Sequence, residues 1–262
     1  MLIGYLRFAV LFSAIGLFLL VAIPMRLVLG NTVRARRAAA VWLHWMCRLG
    51  LRILGISVEK TTHEGQAFSR QKSVASHLIV SNHLSYLDIL VIAAIQPTLF
   101  VTSVEIRESG FLGFMARAGG CHFVERRNRE QIDREVKEIA GSLRSGLNVV
   151  VFPEATSTNG SSVLPFKVSL MDAAIMAGRP LLPYCINYRA IGGEAVGVHN
   201  RDELCWYGDM TFLDHILNVS RRGAITVAVT RLQSVPITDG SDRKSLAAAA
   251  YSQIVESYVP IV

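Results

Sequence analysis

Residues 74–95 read VASHLIVSNHLSYLDILVIAAI, and the change of pattern inside this stretch decides the fold. Val74 to Val80 is a short run of mostly apolar and β-branched residues, which predicts a buried strand ending at Ser81-Asn82. Ser85 to Ile95 then predicts a helix. In sheets flanked by helices, ligands bind where strands end, so His83 occupies a predicted functional position.

Strand and helix patterns continue to alternate downstream. Glu130 to Leu143 places Ile132, Val136 and Ile139 on one helical face, and Gly146 follows the pattern. Further strands are predicted at 98–104, 121–124, 147–152, 181–187 and 224–232, and further helices at 166–177 and 241–258. Apolar strands alternating with helices indicate an α/β fold with a mostly parallel, twisted sheet flanked by helices. Since no internal repeat or linker interrupts it, residues 59–262 are predicted to form one domain.

The positive charge of the chain is concentrated at its N-terminus. Of 262 residues, 27 are Lys or Arg and 20 are Asp or Glu, which gives a net charge of +7. Residues 1–58 contain seven arginines and no acidic residue, so the remainder is neutral. A nucleic-acid-binding domain would carry its basic residues on a folded surface, so the distribution argues against a nucleic-acid partner. It indicates anionic lipid headgroups instead.

An apolar segment at the N-terminus predicts a helical membrane anchor within residues 1–58. Phe8 to Met25 is uncharged and, as a helix, about 27 Å long, so it either spans a bilayer or lies in one leaflet. A cleaved signal peptide is the alternative, but the run ends in Pro24-Met25-Arg26 rather than in small residues. The following cluster of Arg34, Arg36 and Arg37 predicts that the rest of the chain, downstream of the cluster, lies on the cytoplasmic face.

Ala38 to Ile56 predicts a second helix. Its stripe of Trp42, Trp45, Leu49, Ile53 and Ile56 is flanked by His44, Arg48 and Arg52. Aromatic and arginine side chains favour a helix at the membrane interface, and packing on the domain that follows is the alternative.

Neither the four cysteines nor His122 indicates a metal site. Cys47, Cys121, Cys185 and Cys205 lack C-x-x-C spacing, which is typical of reduced core thiols. Cys121 and His122 are adjacent in a predicted strand and therefore point to opposite faces, so they cannot readily share one ion.

His83 and Asp88 form the candidate catalytic pair. A carboxylate that accepts from one imidazole nitrogen leaves the other nitrogen basic and stabilises the imidazolium. For Asp88 taken alone, capping of the following helix is the favoured role, because Ser85 and Asp88 have capping-box spacing and a helix N-terminus stabilises a carboxylate. The chain has no G-x-S-x-G elbow, Walker A loop, H-E-x-x-H or G-x-G-x-x-G turn. A His-Asp pair without a protein nucleophile suits acyl transfer to a substrate hydroxyl.

Four blocks in order resemble the glycerophospholipid acyltransferases, the family that includes 1-acyl-glycerol-3-phosphate acyltransferase. The first is Asn82-His83-x-x-x-x-Asp88, and the others are Gly120 to Arg126, Phe152 to Thr156 and Pro180 to Pro183. The resemblance implies that His83 is the general base on a lysolipid hydroxyl and that Asp88 orients it. It also implies that Arg126 and Glu154 hold the acceptor headgroup. The acyl donor is then acyl-CoA or acyl-carrier protein, with no cofactor.

The third block departs from the family pattern F-P-E-G-T-R-S. Ala155 replaces the glycine and Ser157 replaces the arginine, which is more similar to branches that act on lyso-ornithine lipid or on lysophospholipids with substituted headgroups. Lys167 is a candidate for part of the missing positive charge, or a surface residue. Thr156 is a candidate cap or substrate donor. If the glycine position has positive φ, Ala155 is strained.

Three functions are therefore compared. The favoured one is a membrane-associated lysolipid O-acyltransferase of phospholipid biosynthesis, acting on 1-acyl-glycerol-3-phosphate or alternatively on lyso-ornithine lipid. The others are a thioester or lipid hydrolase using the same pair on water, and a non-catalytic membrane scaffold.

Overall fold

The computed structural model describes residues 2–68, 76–125 and 129–262. Two long helices begin it: α1 is Leu2–Leu29 and α2 is Val33–Leu54. The hydroxyl oxygen of Thr32 accepts from the amide of Ala35 and caps α2. Gly55 ends α2 at a φ of 70°, a conformation that glycine adopts without a side-chain penalty.

Within the described residues, one eight-stranded sheet forms the centre of the protein. Its strands are β1 (Ile56–Thr62), β2 (Leu78–Ser81), β3 (Leu99–Ser103), β4 (His122–Val124), β5 (Val149–Val151), β6 (Leu181–Ile191), β7 (Glu194–Ala195) and β8 (Ile225–Arg231). The order is β1-β8-β6-β2-β5-β3-β4, with β7 beside β6. Strands β2 to β6 pair in parallel, whereas β8 is antiparallel to β6 and parallel to β1.

Helices flank this sheet. They are α3 (Leu87–Ile95), α4 (Val104–Glu108), α5 (Gly110–Ala118), α6 (Arg129–Arg144), α7 (Asp172–Ala177), α8 (Phe212–Arg222) and α9 (Arg243–Ser257). Helix α6 packs on β4 and β5, α9 packs on β6, and α3 packs against α2. Because both faces are covered, the central strands β2 and β5 are buried along their whole length, as expected for parallel strands.

The predicted α/β fold with a mostly parallel sheet is confirmed, and the differences concern the ends of some elements and several elements that the sequence did not predict. The strand predicted at 74–80 is β2, shifted to Leu78–Ser81, and residues 74 and 75 lie outside the described part. The predicted helix at 166–177 is a 3₁₀ turn at Ser169–Met171 followed by the short α7. Helices α4, α5 and α8 and strands β1 and β7 were not predicted. The expected domain boundary at residue 58 falls inside β1.

Helix α1 is long and apolar enough to cross a membrane, yet one stripe of it packs on the rest of the protein. That stripe is Gly4, Leu11, Phe18 and Ala22, which face α2, α5 and α8. A Cβ added to Gly4 would lie 2.8 Å from the Cα of Arg221 on α8, so a glycine is required for this close approach. The remaining surface of α1 is largely exposed and apolar.

Helix α2 packs on the α/β domain through one face, as the alternative interpretation required. Its buried residues are Ala35, Ala39, Ala40, His44, Cys47, Gly50, Leu51 and Leu54. The nitrogen Nδ1 of His44 lies 2.7 Å from the carbonyl oxygen of Ala93, so His44 belongs to the packed face rather than to a solvated flank. Ile56 belongs to β1, not to the predicted stripe. Trp45 and Leu49 on the other face are exposed, so an interfacial position for that face stays a prediction.

Candidate active site

Strand β6 fixes the start of the segment that carries His83. The side-chain amide of Asn82 donates to the carbonyl of Ile186 at 2.9 Å, and its oxygen accepts from the amide of Ile186 at 2.8 Å. This reciprocal pair extends the β2–β6 pairing by one residue beyond Ser81. His83 is therefore held at the carboxyl end of β2, where the chain leaves the sheet.

His83 and Asp88 form a direct hydrogen bond. The distance from His83 Nδ1 to Asp88 Oδ2 is 2.8 Å, and the Asp88 side chain is fully buried while that of His83 is 18% exposed. The same Oδ2 accepts from the amides of Leu84 and Ser85 at 2.7 and 2.9 Å. Because this oxygen is an acceptor for all three groups, Nδ1 carries the proton and Nε2 has a free lone pair.

The two roles considered for Asp88 coexist. Its carboxylate satisfies the loop amides of Leu84 and Ser85 before α3, as a cap does, and it also orients the imidazole. Tyr188 on β6 donates its hydroxyl to the second oxygen, Oδ1, at 2.8 Å.

The ring of His83 stacks on Phe152, which follows β5. Their centroids are 4.0 Å apart, with an angle of 13° between the rings. The stacking and the bond to Asp88 together fix the imidazole plane. Nε2 lies on the side of the ring away from the bond to Asp88, and His83 is one of the residues that line a cavity.

Glu154 supports the His83 backbone from the neighbouring strand end. It is buried, and its two oxygens accept from the amides of His83 and Leu164, each at 2.7 Å. Burial raises the pKa of Glu154 from 4.5 to about 7, although the two amide bonds act in the opposite direction. The structure thus shows a contact that positions the His83 backbone, and the headgroup contact implied by the resemblance stays a prediction.

The segment after Glu154 also packs against the His83 loop. The amide of Thr158 donates to the carbonyl of His83 at 3.1 Å, and the Ser157 hydroxyl donates to the carbonyl of Trp206. Ala155 has a φ of 66°, so the concern raised from the sequence is confirmed: an alanine occupies a left-handed position that favours glycine.

An apolar cavity of about 450 Å³ adjoins His83. It extends from His83 and Phe152 to the N-terminal helices, and residues of α5 and α8 also line it. The lining includes Leu11, Ile15 and Phe18 of α1, Leu43, Met46 and Cys47 of α2, Phe111, Leu112 and Met115 of α5, and Phe212 and Ile216 of α8. With few polar groups besides His83 and the loop after Glu154, the cavity suits an aliphatic chain.

The other predicted site residues are placed as follows. Thr156 is exposed and lines the cavity. Lys167 is exposed and does not line it; its amide donates to the carbonyl of Pro153 at 2.8 Å. Arg126 lies outside the described residues.

His122 belongs to the packed interior of the protein. It is buried beside Arg36 and Ser142, with Nε2 at 3.4 Å from an Arg36 nitrogen and at 3.1 Å from the Ser142 oxygen. Burial, and then the charge of Arg36, lower the pKa of His122 to about 3. Across the described ranges, no three His, Cys, Asp or Glu side chains are grouped as metal ligands would be.

Sequence reasoning missed Tyr188 and the supporting role of Asn82. Tyr188 follows the predicted end of its strand at Asn187, because the run of apolar residues stops there while β6 continues to Ile191. Nothing in the local pattern indicates that β6 lies beside β2, since that adjacency is a property of the sheet order.

Comparison with known proteins agrees with this geometry. A family model described as Acyltransferase matches residues 60–187. The lyso-ornithine lipid O-acyltransferase of Brucella abortus (strain 2308) is 36% identical over 65% of this chain and 66% of the relative, just under two thirds of its length. The enzyme of the same name from Rhizobium meliloti (strain 1021) is 30% identical over 93% of this chain and 83% of the relative. The 1-acyl-sn-glycerol-3-phosphate acyltransferase of Neisseria gonorrhoeae is 36% identical over 42% of this chain and 44% of its own length.

A solved structure has the same fold. The 1-acyl-sn-glycerophosphate (LPA) acyltransferase PlsC of Thermotoga maritima superposes with a TM-score of 0.59 over 86% of this chain and 80% of that chain. The sequence identity is 18%, so this likeness concerns the fold alone.

Proposed function

The chain belongs to the acyltransferase family, and from this premise we propose that it transfers a fatty acyl group from an acyl thioester to the free hydroxyl of a lysolipid. One observation carries the proposal: the 2.8 Å bond between His83 Nδ1 and Asp88 leaves Nε2 free to accept a proton, in a residue that lines an apolar cavity.

The reaction needs a general base and no protein nucleophile. The lysolipid hydroxyl donates to His83 Nε2, which removes its proton as the oxygen attacks the thioester carbonyl carbon. The resulting tetrahedral intermediate expels the thiolate, which takes the proton from the imidazolium, and the products are a diacylated lipid and a free thiol. Buried Asp88 stabilises the imidazolium while it exists.

The acyl chain occupies the apolar cavity in this proposal. A preformed apolar space beside the base holds the thioester carbonyl near Nε2 and removes water that would otherwise hydrolyse it. The Phe152 ring against His83 contributes to both effects. A hydrolase would instead need ordered water at Nε2, which an apolar lining does not favour.

The bilayer contacts the exposed face of α1. Its packed stripe keeps the helix beside the cavity, while large apolar residues such as Leu20 and Leu27, 71% and 79% exposed, are available to lipid. Trp45 on α2, with Arg48 stacked over its ring at 5.1 Å, extends this surface in the manner of an interfacial aromatic. The arginine cluster at the start of α2 favours a cytoplasmic position for the catalytic domain.

Lyso-ornithine lipid is the favoured acceptor, and 1-acyl-glycerol-3-phosphate is the second candidate. Ser157 replaces the arginine that the glycerol-phosphate pattern carries, and a serine side chain has no charge to offer a phosphate. Its hydroxyl donates instead to the carbonyl of Trp206. The relatives from Brucella abortus and Rhizobium meliloti bear the lyso-ornithine lipid name, and the match to the second covers 93% of this chain.

The test is an acceptor and donor panel on the full chain in lipid-detergent micelles. Lyso-ornithine lipid and 1-acyl-glycerol-3-phosphate are each supplied with acyl-CoA or acyl-carrier protein, with thiol release and lipid product measured. Thiol release that requires a lysolipid and yields an equal amount of acylated lipid supports the proposal. Equal release without acceptor indicates a hydrolase, and no release with any pair contradicts both enzymatic functions.

A further inference from the structure

The carboxylate of Asp88 is held differently on its two sides. Oδ2 accepts from His83, Leu84 and Ser85, which all belong to its own loop. The hydroxyl of Tyr188, a residue 100 positions away in the chain, donates to Oδ1 at 2.8 Å. The Tyr188 side chain is buried, and Asp88 is not exposed at all.

We propose that Tyr188 is a positioning residue of the acyl-transfer reaction, which sets the orientation and charge of Asp88 and through it the basicity of His83. This inference rests on the proposed function, because it assigns Tyr188 to the same His83–Asp88 pair. Tyr188 touches neither the cavity nor the reacting atoms and acts through the carboxylate.

Orientation is the first part of the effect. A carboxylate bonded on one oxygen can rotate about its Cβ–Cγ bond, whereas one bonded on both oxygens has its plane fixed. A hydroxyl-to-carboxylate bond is among the stronger hydrogen bonds in proteins. With Oδ1 fixed by Tyr188, Oδ2 stays directed at His83 Nδ1.

Charge is the second part. The Tyr188 hydroxyl withdraws charge from Asp88, so the carboxylate stabilises the imidazolium less than a singly bonded one would. Tyr188 remains a donor over the working pH range, because burial, followed by the Asp88 charge, raises the pKa of its hydroxyl. Removal of the contact should therefore strengthen the stabilisation of the imidazolium by Asp88.

Strand β6 is suited to this role because it binds both ends of the segment that runs from Asn82 to Asp88. Ile186 binds the side chain of Asn82 before His83, and Tyr188, two residues further on, binds Asp88 after it. The β6–β8 register shifts between Tyr188 and Ala190. Irregularities of this kind re-aim a side chain, and here they accompany the one that reaches Asp88.

The same strand offers a matched control. Tyr184 is also buried on β6, and its hydroxyl accepts from the side-chain amide of Gln96 at 3.3 Å. Tyr184→Phe removes a buried hydroxyl from the same strand without touching Asp88. Among the described residues, the charge of Asp88 also acts on Glu154, Cys205 and Tyr258, whereas Tyr86 and Cys205 act on Tyr188, and neither substitution replaces any of these groups.

The experiment compares the pH dependence of kcat/KM for the wild-type chain, Tyr188→Phe and Tyr184→Phe. We expect Tyr188→Phe to lower kcat about 10-fold, the loss of one hydrogen bond to a charged group, with little change in the thioester KM. The acid limb of the kcat/KM profile of Tyr188→Phe should move to higher pH by about half a pH unit or more. Tyr184→Phe should leave both the rate and the limb at their wild-type values. Identical profiles for the two variants would overturn the inference.

Two further measurements test the proposal where Tyr188→Phe does not fold or where no turnover is detected. Fluorotyrosine at position 188 keeps the shape of the side chain but donates more strongly, so the acid limb should move down; an unchanged limb contradicts the proposal even where Tyr188→Phe does not fold. The pH dependence of His83 modification by diethyl pyrocarbonate, measured by mass spectrometry, should shift as the acid limb does. This measurement needs no turnover, so it separates a failed role for Tyr188 from a failed acyltransferase assignment.

Discussion

Replacing Glu154 by glutamine should remove a specific pH dependence from the stability of the fold. Burial raises the pKa of this carboxyl from 4.5 to about 7, so the folded state keeps a proton that the unfolded chain releases between these values. The stabilisation is complete below pH 4.5 and is lost as the pH rises to about 7. At about 1.4 kcal/mol per pH unit, the loss is about 3 kcal/mol.

Glutamine cannot ionise, so its contribution does not vary over this range. It retains one acceptor oxygen for the amides of His83 and Leu164, but its NH₂ group faces the other amide, which costs about 1–3 kcal/mol at all pH values. The difference in unfolding free energy between variant and wild type should therefore move in favour of the variant by up to about 3 kcal/mol from pH 4.5 to about 8.

Urea unfolding of the full chain in micelles, followed at several pH values, measures this difference. Glu108→Gln is the control, because Glu108 is exposed at the end of α4 and its loss should leave the pH dependence unchanged. Parallel pH profiles for Glu154→Gln and the wild type would refute the reasoning, since they would mean that Glu154 ionises alike in both states.

Three other predictions concern neighbouring parts of the site. Ala155→Gly should stabilise the fold by up to about 1 kcal/mol in thermal unfolding, because it relieves the positive φ; a loss of stability would show that the turn is not strained. Cys47→Phe should shrink the cavity and lower kcat/KM for long acyl thioesters more than for short ones, and an equal loss for both would argue against a chain in this space. Arg126→Ala should raise the acceptor KM far more than the thioester KM, as a headgroup contact requires; equal effects would exclude that role.

Much of the fold could be predicted from local pattern. The apolar runs of β2 and β5 are typical of buried strands, and the apolar stripe of α6 is typical of a helix. The structure contains all three elements. The position of His83 followed from the same reasoning, because a polar turn after a buried strand lies at a sheet edge. Its pairing with Asp88 followed from their spacing, and the 2.8 Å contact confirms it.

The remainder depends on contacts between distant parts of the chain. β1 has a mixed pattern of buried and exposed residues directly after α2, so it has no apolar run to reveal it. The reversed direction of β8 relative to β6 leaves no trace in either strand's composition. The amide-binding role of Glu154 likewise requires β5 to lie beside β2, which only the assembled sheet shows.

The most direct test of the central claim is the rate of acyl transfer by His83→Ala, measured as acceptor-dependent thiol release. If Nε2 of His83 is the general base, the rate should fall by at least about 10²-fold while thermal unfolding shows an intact fold. Turnover close to that of the wild type would contradict the claim.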